Sequence, residues 1–347
     1  MIRLVVFVVL LALGMNAPVH AASFDCGKAA TPFEKAICGD PELSAADERL
    51  ARTYATAIGG LSEGALGALR ADQRAWLDFA QRACTRDAKP LTSGTYDERG
   101  IRCLTNLFLG RSRTLEQSRM MDGLRFYPLG RYAALPDPYE AEDPDSSWPV
   151  GQHELSYIQL DGGPDYAEAF NEFIEAEALK LSNMFAAQGG PDDVAEDGSS
   201  DTDNSITVKE VTGTRITLDV GTYWFGHGAA HGNWTRTYLH YLVEEDRALV
   251  AKDIFAGKAW RKALLDLVVE ALKAEHGDML MLDDTQYIAE SVIDPARWDL
   301  SDPYNLIVQF QPYEVSAYAY GAPTARVRWE DLTPHLAETA DAVRYGY

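Results

Sequence analysis

The chain has 347 residues, of which 46% are hydrophobic, and its 53 acidic against 31 basic side chains give a formal net charge of −22 at pH 7. This apolar content excludes wholesale disorder, and the length favours two domains. The acid excess argues against binding to nucleic acids or anionic membranes, because both depend on Lys and Arg, and it favours a cationic partner.

Residues 1–21 have the pattern of an export signal. Arg3 supplies positive charge, Leu4–Leu13 is an apolar stretch, and Val19-His20-Ala21 is a small-residue cleavage pattern. We therefore expect cleavage after Ala21 and a periplasmic or secreted protein that is not inserted in a membrane. An uncleaved N-terminal anchor is the alternative, which is disfavoured because a bilayer-spanning helix needs about 18 or more apolar residues.

All four cysteines lie in the first third of the chain, and an oxidising compartment would allow them to form disulfides. They are Cys26, Cys38, Cys84 and Cys103. Of the three possible connectivities, the pairs Cys26–Cys38 and Cys84–Cys103 are favoured, because each closes a short local loop. Since no C-x-x-C pair is present, structural disulfides are a better interpretation than a redox or zinc site.

Residues 22–118 are predicted to form a small helical domain. Thr31–Glu34 is a capping box with proline at the first helical position. Apolar residues then recur at helical spacing in three segments, which include Leu43, Leu50 and Tyr54, then Leu66, Leu69 and Trp76, and finally Leu104, Leu107 and Phe108. Residues 60–64 match the G-x-S-x-G nucleophile elbow, but a helix precedes them, so Ser62 is predicted to be a helix N-cap.

A change of pattern separates this region from the rest of the chain. Prolines among acidic residues predict a linker over 119–146. Residues 147–347 then combine a predicted helix over 165–188, a hairpin of strands over 205–211 and 214–225, a third strand over 234–243, a helix over 258–276 and later strands. The predicted fold class is α+β: a disulfide-stapled all-α domain, then an α+β domain with an antiparallel sheet packed by helices.

The negative charge is concentrated in one part of the chain. Residues 22–118 contain 13 basic and 13 acidic residues, whereas residues 132–208 contain 18 acidic residues and one basic residue. This acidic stretch is interpreted either as a solvated surface that keeps the protein soluble or as a surface that steers a basic protein.

A glycine-rich segment, His227-Gly-Ala-Ala-His231, spaces two histidines as in a helical metal site. Glycines at 226, 228 and 232 disfavour a helix, so the segment is predicted to be a hairpin loop with Tyr223, Trp224 and Trp234 at its rim. A zinc site would need a third ligand from elsewhere, such as Glu314 or His240. We predict no metal, no cofactor and no catalytic residue.

The N-terminal part resembles the LprI-like family of lysozyme inhibitors over about residues 24–115. The residues that carry the resemblance are Phe24-Asp25-Cys26, Thr31–Cys38, Pro41-Glu42-Leu43, Asp47, Leu50, Tyr54, Gln73–Leu77, Cys84, Cys103 and Arg111. The resemblance implies a small disulfide-linked helical module, and lysozyme inhibition has been assigned to a member of the family.

The C-terminal part, about residues 205–336, resembles the RsiV-type extracellular domain, which is a lysozyme receptor in RsiV. The signature consists of Gly228–Asn233, Asp253-Ile254-Phe255, Phe310–Val315 and Tyr318–Gly321. The candidate binding loops are 226–233 and 312–321, and the candidate contact residues are His227, His231, Gly232, Asn233, Trp234, Tyr313, Glu314, Tyr318 and Tyr320. Domains of this type also occur appended to polysaccharide deacetylases, and in RsiV the domain is joined to an anti-sigma region. We find neither a deacetylase domain nor an anti-sigma region in this sequence, so the resemblance implies neither deacetylation nor signalling.

The sequence therefore predicts an exported, non-enzymatic binding protein whose partner is lysozyme or a related basic muramidase. It leaves open whether binding inhibits the partner, which domain binds it, and the oligomeric state. Two alternatives are a peptidoglycan-acting envelope enzyme, metal-assisted through His227, His231 and Glu314, and a structural interaction module of the envelope.

Overall fold

The computed structural model describes residues 22–185, 198–282 and 284–346. The predicted export signal lies outside these residues. Within the described part of the chain, no helix combines the length and the apolar character that crossing a lipid bilayer requires.

Four helices form the N-terminal region: α1 (Pro32–Gly39), α2 (Pro41–Ala57), α3 (Glu63–Ala83) and α4 (Glu98–Leu115). Each begins at a residue that caps it. Thr31 and Glu34 form the predicted capping box, and the side chains of Asp40, Ser62 and Asp97 accept hydrogen bonds from the first turns of α2, α3 and α4. The prediction that Ser62 is an N-cap between two helices is confirmed.

The helical core is apolar and closed by the two predicted disulfides. Its buried side chains include Leu43, Leu50, Leu69, Trp76, Phe79, Leu104 and Phe108. Cys26–Cys38 ties the N-terminal segment to α1, and Cys84–Cys103 joins the end of α3 to α4. Both predicted pairings are confirmed.

A seven-stranded sheet follows the helices. Its strands lie side by side in chain order: β1 (Arg119–Met121), β2 (Leu124–Pro136), β3 (Val150–Leu160), β4 (Ser200–Val211), β5 (Arg215–Gly226), β6 (Asn233–Leu242) and β7 (Arg247–Ala248). All neighbours are antiparallel except β3 and β4, which are parallel. The connection between these two strands contains α5 (Ala167–Leu179), because parallel neighbours need a long crossover.

The predicted linker over 119–146 is wrong for residues 119–136, which form β1, a tight turn and β2. Apolar residues from Leu124 to Leu135 supply the strand, and Tyr127 and Ala134 are buried in the helical core. Pro128 is tolerated because β2 pairs with β1 only as far as Phe126 and is otherwise an edge strand on that side. Only the segment between β2 and β3 is a loop, so the helical region continues directly into the sheet.

The C-terminal region adds a second, smaller sheet and four helices. They are α6 (Trp260–His276), α7 (Ala289–Ile293), α8 (Trp329–Leu332), α9 (Ala340–Tyr345) and the antiparallel strands β8 (Trp298–Asp299), β9 (Asn305–Gln309) and β10 (Thr324–Arg328). Leu264 and Val268 of α6 share a buried core with Trp298 and Val308. The α+β fold class is therefore as the sequence predicted.

The two faces of the large sheet have different neighbours. On one face, Phe170 and Ile174 of α5 share a buried core with Leu155, Ile206 and Leu218. On the other face, α3 and α4 contact β2. At β6 the sheet meets the C-terminal region, where the imidazole Nε2 of His240 lies 2.8 Å from the carbonyl oxygen of Trp298.

A buried ionic network joins the helices to the sheet. The Arg111 guanidinium on α4 donates hydrogen bonds to Asp72, to Gln73 (2.9 Å) and to the hydroxyl of Tyr132 (2.8 Å) on β2. Asp72 also accepts from the backbone N–H of Gly130, at 2.8 Å. Because both charged side chains are nearly inaccessible to water, this network fixes how the helical region sits on the sheet.

We expect the Arg111→Met substitution to lower the free energy of unfolding by about 3–5 kcal/mol, because it removes the buried countercharge of Asp72. Urea unfolding followed by circular dichroism measures this loss. The Asp72→Leu/Arg111→Met double variant should be less destabilised than Arg111→Met alone, since no buried charge is then left unpaired. A loss below about 1 kcal/mol for the single variant would contradict this account.

Candidate functional site

The glycine-rich segment is a hairpin loop that joins β5 to β6, as predicted. Gly228 has a positive φ of 79°, which a residue with a side chain rarely adopts. The loop sends its two histidines to different surroundings: His227 has a buried ring, and His231 is exposed.

His227 is held between two carboxylates. Its Nδ1 lies 2.5 Å from Asp137 and its Nε2 lies 3.3 Å from Asp201, and its ring stacks on Trp148. Burial alone would lower the pKa of His227, but the hydrogen bonds and negative charges of Asp201 and Asp137 outweigh it and raise the pKa. The imidazole therefore fastens the loop between β2 and β3, which contains Asp137 and Trp148, to the hairpin.

His231 connects the two loops that the sequence selected. Its ring stacks on Tyr318, with centroids 4.1 Å apart, and its Nε2 lies 3.3 Å from the hydroxyl of Tyr313. Tyr318 also donates a hydrogen bond of 2.6 Å to the carbonyl oxygen of Gly232. Gly232 lies against the ring of Tyr223, so closely that a Cβ would approach the ring to 2.5 Å or less.

These four rings form one surface, which we call the aromatic rim: Tyr223, His231, Tyr313 and Tyr318. Tyr223 is 40% exposed and Tyr313 is 61% exposed, and Trp224, 46% exposed, lies on the same strand as Tyr223. The structure therefore brings together loops that are about 80 residues apart in the sequence. Exposed aromatic side chains clustered in this way are typical of protein contact surfaces.

The remaining candidate residues support the rim or lie beside it. Glu314 is half-buried and binds Arg297 (3.0 Å), Ser291 (2.5 Å) and the backbone N–H of Gln311 (2.7 Å). Tyr320 contacts His276 through its hydroxyl. Asn233 and Trp234 begin β6, where Trp234 lies directly opposite Tyr223.

The structure does not assemble the zinc site considered above. Glu314 is paired with Arg297, and His240 is fully buried between Thr217 and the Trp298 carbonyl. Burial, and then the positive charge of Arg215, lowers the pKa of His240 to about 3, so its ring is neutral. In residues 22–185, 198–282 and 284–346, no three His, Cys, Asp or Glu side chains converge as metal ligands would.

Sequence reasoning missed the segment around Met281 and Tyr287, which bonds the backbone of the 312–321 loop. The backbone N–H of Met281 donates to the carbonyl oxygen of Val315 (2.9 Å), and the Tyr287 hydroxyl donates to the Glu314 carbonyl. Both Met281 and Tyr287 are exposed. The apolar run over residues 279–282, shortly after α6, is the sequence signal that could have indicated this segment.

The acidic stretch 132–208 is not one continuous charged surface. Asp137 and Asp201 bind His227, Asp161 accepts hydrogen bonds from Ser62, and Glu175 pairs with Arg131. Exposed acids remain on α5 and in the loop between β2 and β3, where they are Glu142, Asp143 and Asp145. Asp192, Asp193, Glu196 and Asp197 lie outside the described residues.

Two family models match parts of the chain. Residues 26–121 match the model described as lysozyme inhibitor LprI, which agrees with the N-terminal resemblance. Residues 252–330 match a model described as a protein of unknown function (DUF3298). The likeness of the C-terminal region to the RsiV-type domain therefore stays a prediction.

Similar individual proteins carry little functional description. The uncharacterized protein R02472 of Rhizobium meliloti (strain 1021) is 29% identical over 128 residues, which cover 32% of this chain and 91% of that protein. A solved DUF3298 family member from Bacteroides fragilis NCTC 9343 has 15% identity and a TM-score of 0.44, covering 63% of this chain and 96% of its own. Another, from Pseudomonas aeruginosa PAO1, has 14% identity and a TM-score of 0.46, covering 65% and 98%.

We expect the His227→Gln substitution to lower the free energy of unfolding by about 2 kcal/mol below pH 6.5, where the protonated ring bridges two carboxylates. A histidine whose pKa is raised in the folded state binds its proton more tightly there than in the unfolded chain. The resulting stabilisation is complete below the ordinary pKa of histidine and is lost as the pH rises through the raised value. The difference between wild type and variant should therefore shrink by about pH 9.

Urea titrations of wild type and variant, one below pH 6.5 and one at about pH 9, measure this difference. The His335→Gln variant is the control, because His335 lies outside both candidate loops and is only partly buried, and its effect should stay within about 0.5 kcal/mol. A difference for His227→Gln that grows with pH would contradict the assignment of a protonated bridge.

Proposed function

We propose that this protein works outside the cytoplasm, in the periplasm, as a non-enzymatic protein that binds a lysozyme-type cell-wall hydrolase and inhibits it. The observation that carries the proposal is the match of residues 26–121 to the lysozyme inhibitor model. The two disulfides of the same region support an oxidising compartment.

We infer that the partner docks on the aromatic rim. Tyr and Trp side chains dominate the energy of many protein interfaces, and Tyr313 is the most exposed tyrosine of the rim. The exposed acids Glu142, Asp143 and Asp145 belong to the loop whose first residue, Asp137, is bonded to His227 of the hairpin, so this loop carries negative charge. A basic hydrolase would be attracted to this part of the surface.

The chemistry of the site supports binding rather than catalysis. His227 is bridged by two carboxylates, and the carboxylate of Glu314 is neutralised by Arg297. These contacts occupy both ring nitrogens of His227 and the carboxylate of Glu314, which leaves neither group free to act as a general acid or base. The matched models are, in addition, not those of known enzymes.

We expect the purified protein to slow the clearing of a cell-wall suspension by a basic lysozyme, with full effect near equimolar amounts. The Tyr313→Ala variant should bind lysozyme at least tenfold more weakly, because a central aromatic anchor is removed. The matched control is Tyr304→Ala, which removes a 77% exposed ring at the start of β9 and should leave binding unchanged. No slowing at several-fold excess would disprove inhibition, and equal affinities of both variants would disprove docking on the rim.

We expect the Glu142→Gln/Asp145→Asn variant to associate with lysozyme several-fold more slowly at low salt, with little change in the dissociation rate. The Glu244→Gln/Glu245→Gln variant removes the same charge at the opposite end of β6 and should associate at the wild-type rate. Stopped-flow fluorescence at low and high salt measures both rates. Steering is refuted if the two variants slow association equally.

A further inference from the structure

Four neighbouring strands expose a polar floor in the middle of the large sheet. In register, Ser156 on β3 faces Ser205 on β4, which faces Gly221 on β5, which in turn faces Arg236 on β6. All four positions are small or polar. Three strand spacings make this floor about 14 Å wide.

We call the resulting depression the sheet groove. Its lining includes the polar side chains of Arg113, Glu154, Asp203, Asp219 and Arg236, together with Trp234. It consists of two adjoining cavities of about 220 and 370 Å³, which share Asp203, Ser205 and Thr207. Helix α4 forms one wall, and Tyr223 and Trp234 stand at the opposite end.

The charges in the sheet groove compensate one another. Arg236 donates two hydrogen bonds, of 2.8 and 3.1 Å, to Asp219, and Arg113 provides a positive charge near Asp203. Burial, and then the negative charge of Asp203, raises the pKa of Glu154 to about 8, so Glu154 is neutral near pH 7. The floor therefore offers hydrogen-bond donors and acceptors with a net charge close to zero.

This combination favours an uncharged ligand that is rich in hydroxyl groups. A basic peptide would find no excess negative charge, and an acidic ligand no excess positive charge. Carboxylates, hydroxyls and a guanidinium can bond many hydroxyl groups at once, and the two rings offer apolar faces to the C–H side of a sugar. Tyr223 and Trp234 lie directly opposite each other on neighbouring strands, so their side chains are on the same face of the sheet.

We propose that the sheet groove binds a neutral oligosaccharide, with Trp234 and Tyr223 against the sugar rings and with Asp203, Asp219 and Arg236 bonding its hydroxyl groups. This inference goes beyond the proposed binding of a hydrolase and does not depend on it. It gives the protein a contact of its own with a glycan chain.

Calorimetry of the full chain with a soluble oligomer of N-acetylglucosamine, and separately with a cellulose oligomer, tests the proposal. The titration contains no lysozyme, which would itself bind the sugar, so the result is independent of hydrolase binding. We expect saturable binding of at least one oligomer with an affinity that is nearly insensitive to salt, because the ligand is uncharged.

The Trp234→Ala variant should bind at least tenfold more weakly, and Tyr304→Ala should bind like wild type. Asp203→Asn keeps the shape of an exposed side chain and should weaken binding several-fold, which provides a second test if Trp234→Ala fails to fold. No binding of either oligomer, or binding that both groove variants leave unchanged, would overturn the proposal. Salt-sensitive binding of trilysine that the groove variants abolish would assign the groove to a cationic ligand instead.

Discussion

The position of the helical region depends on one buried guanidinium. Arg111 reaches Asp72 and Gln73 on α3 and the hydroxyl of Tyr132 on β2, so a single side chain of α4 bonds another helix and the sheet. Gly130 makes the close approach possible, since a Cβ there would lie only 2.2 Å from the Tyr132 hydroxyl. Because Arg111 bonds α3 and β2 at the same time, α4 is held as a wall beside the exposed part of the sheet.

The aromatic rim and the sheet groove are parts of one continuous surface, since Tyr223 belongs to both. The rim is built by two loops that meet through the stacking of His231 on Tyr318, and the groove is built by the regular register of four strands. A protein bound to the rim would lie over the open end of the groove. The two proposed activities therefore use different chemistry at neighbouring places.

Features that depend on neighbours in the sequence were predictable. The capping box at Thr31–Glu34, both disulfides and the hairpin over β4 and β5 follow from local spacing, and the structure has all of them. The strand β2 was missed because the prolines and acidic residues that follow it predict a linker over 119–146. Its own apolar residues nevertheless enter the helical core. The pairing of His227 with Asp137 and Asp201 could not be predicted, because it joins three separate elements and consumes charges that the composition assigned to the surface.

Both disulfides close before the first strand begins, over separations of 12 and 19 residues. A polypeptide that emerges amino end first into an oxidising space can thus complete its covalent crosslinks while the sheet is still unmade. The parallel partner of β3 begins 40 residues after β3 ends, so the sheet is completed late. The disulfide-bonded helices would then act as a template on which β2 and β3 pack. Folding would proceed from the N-terminus towards the C-terminus.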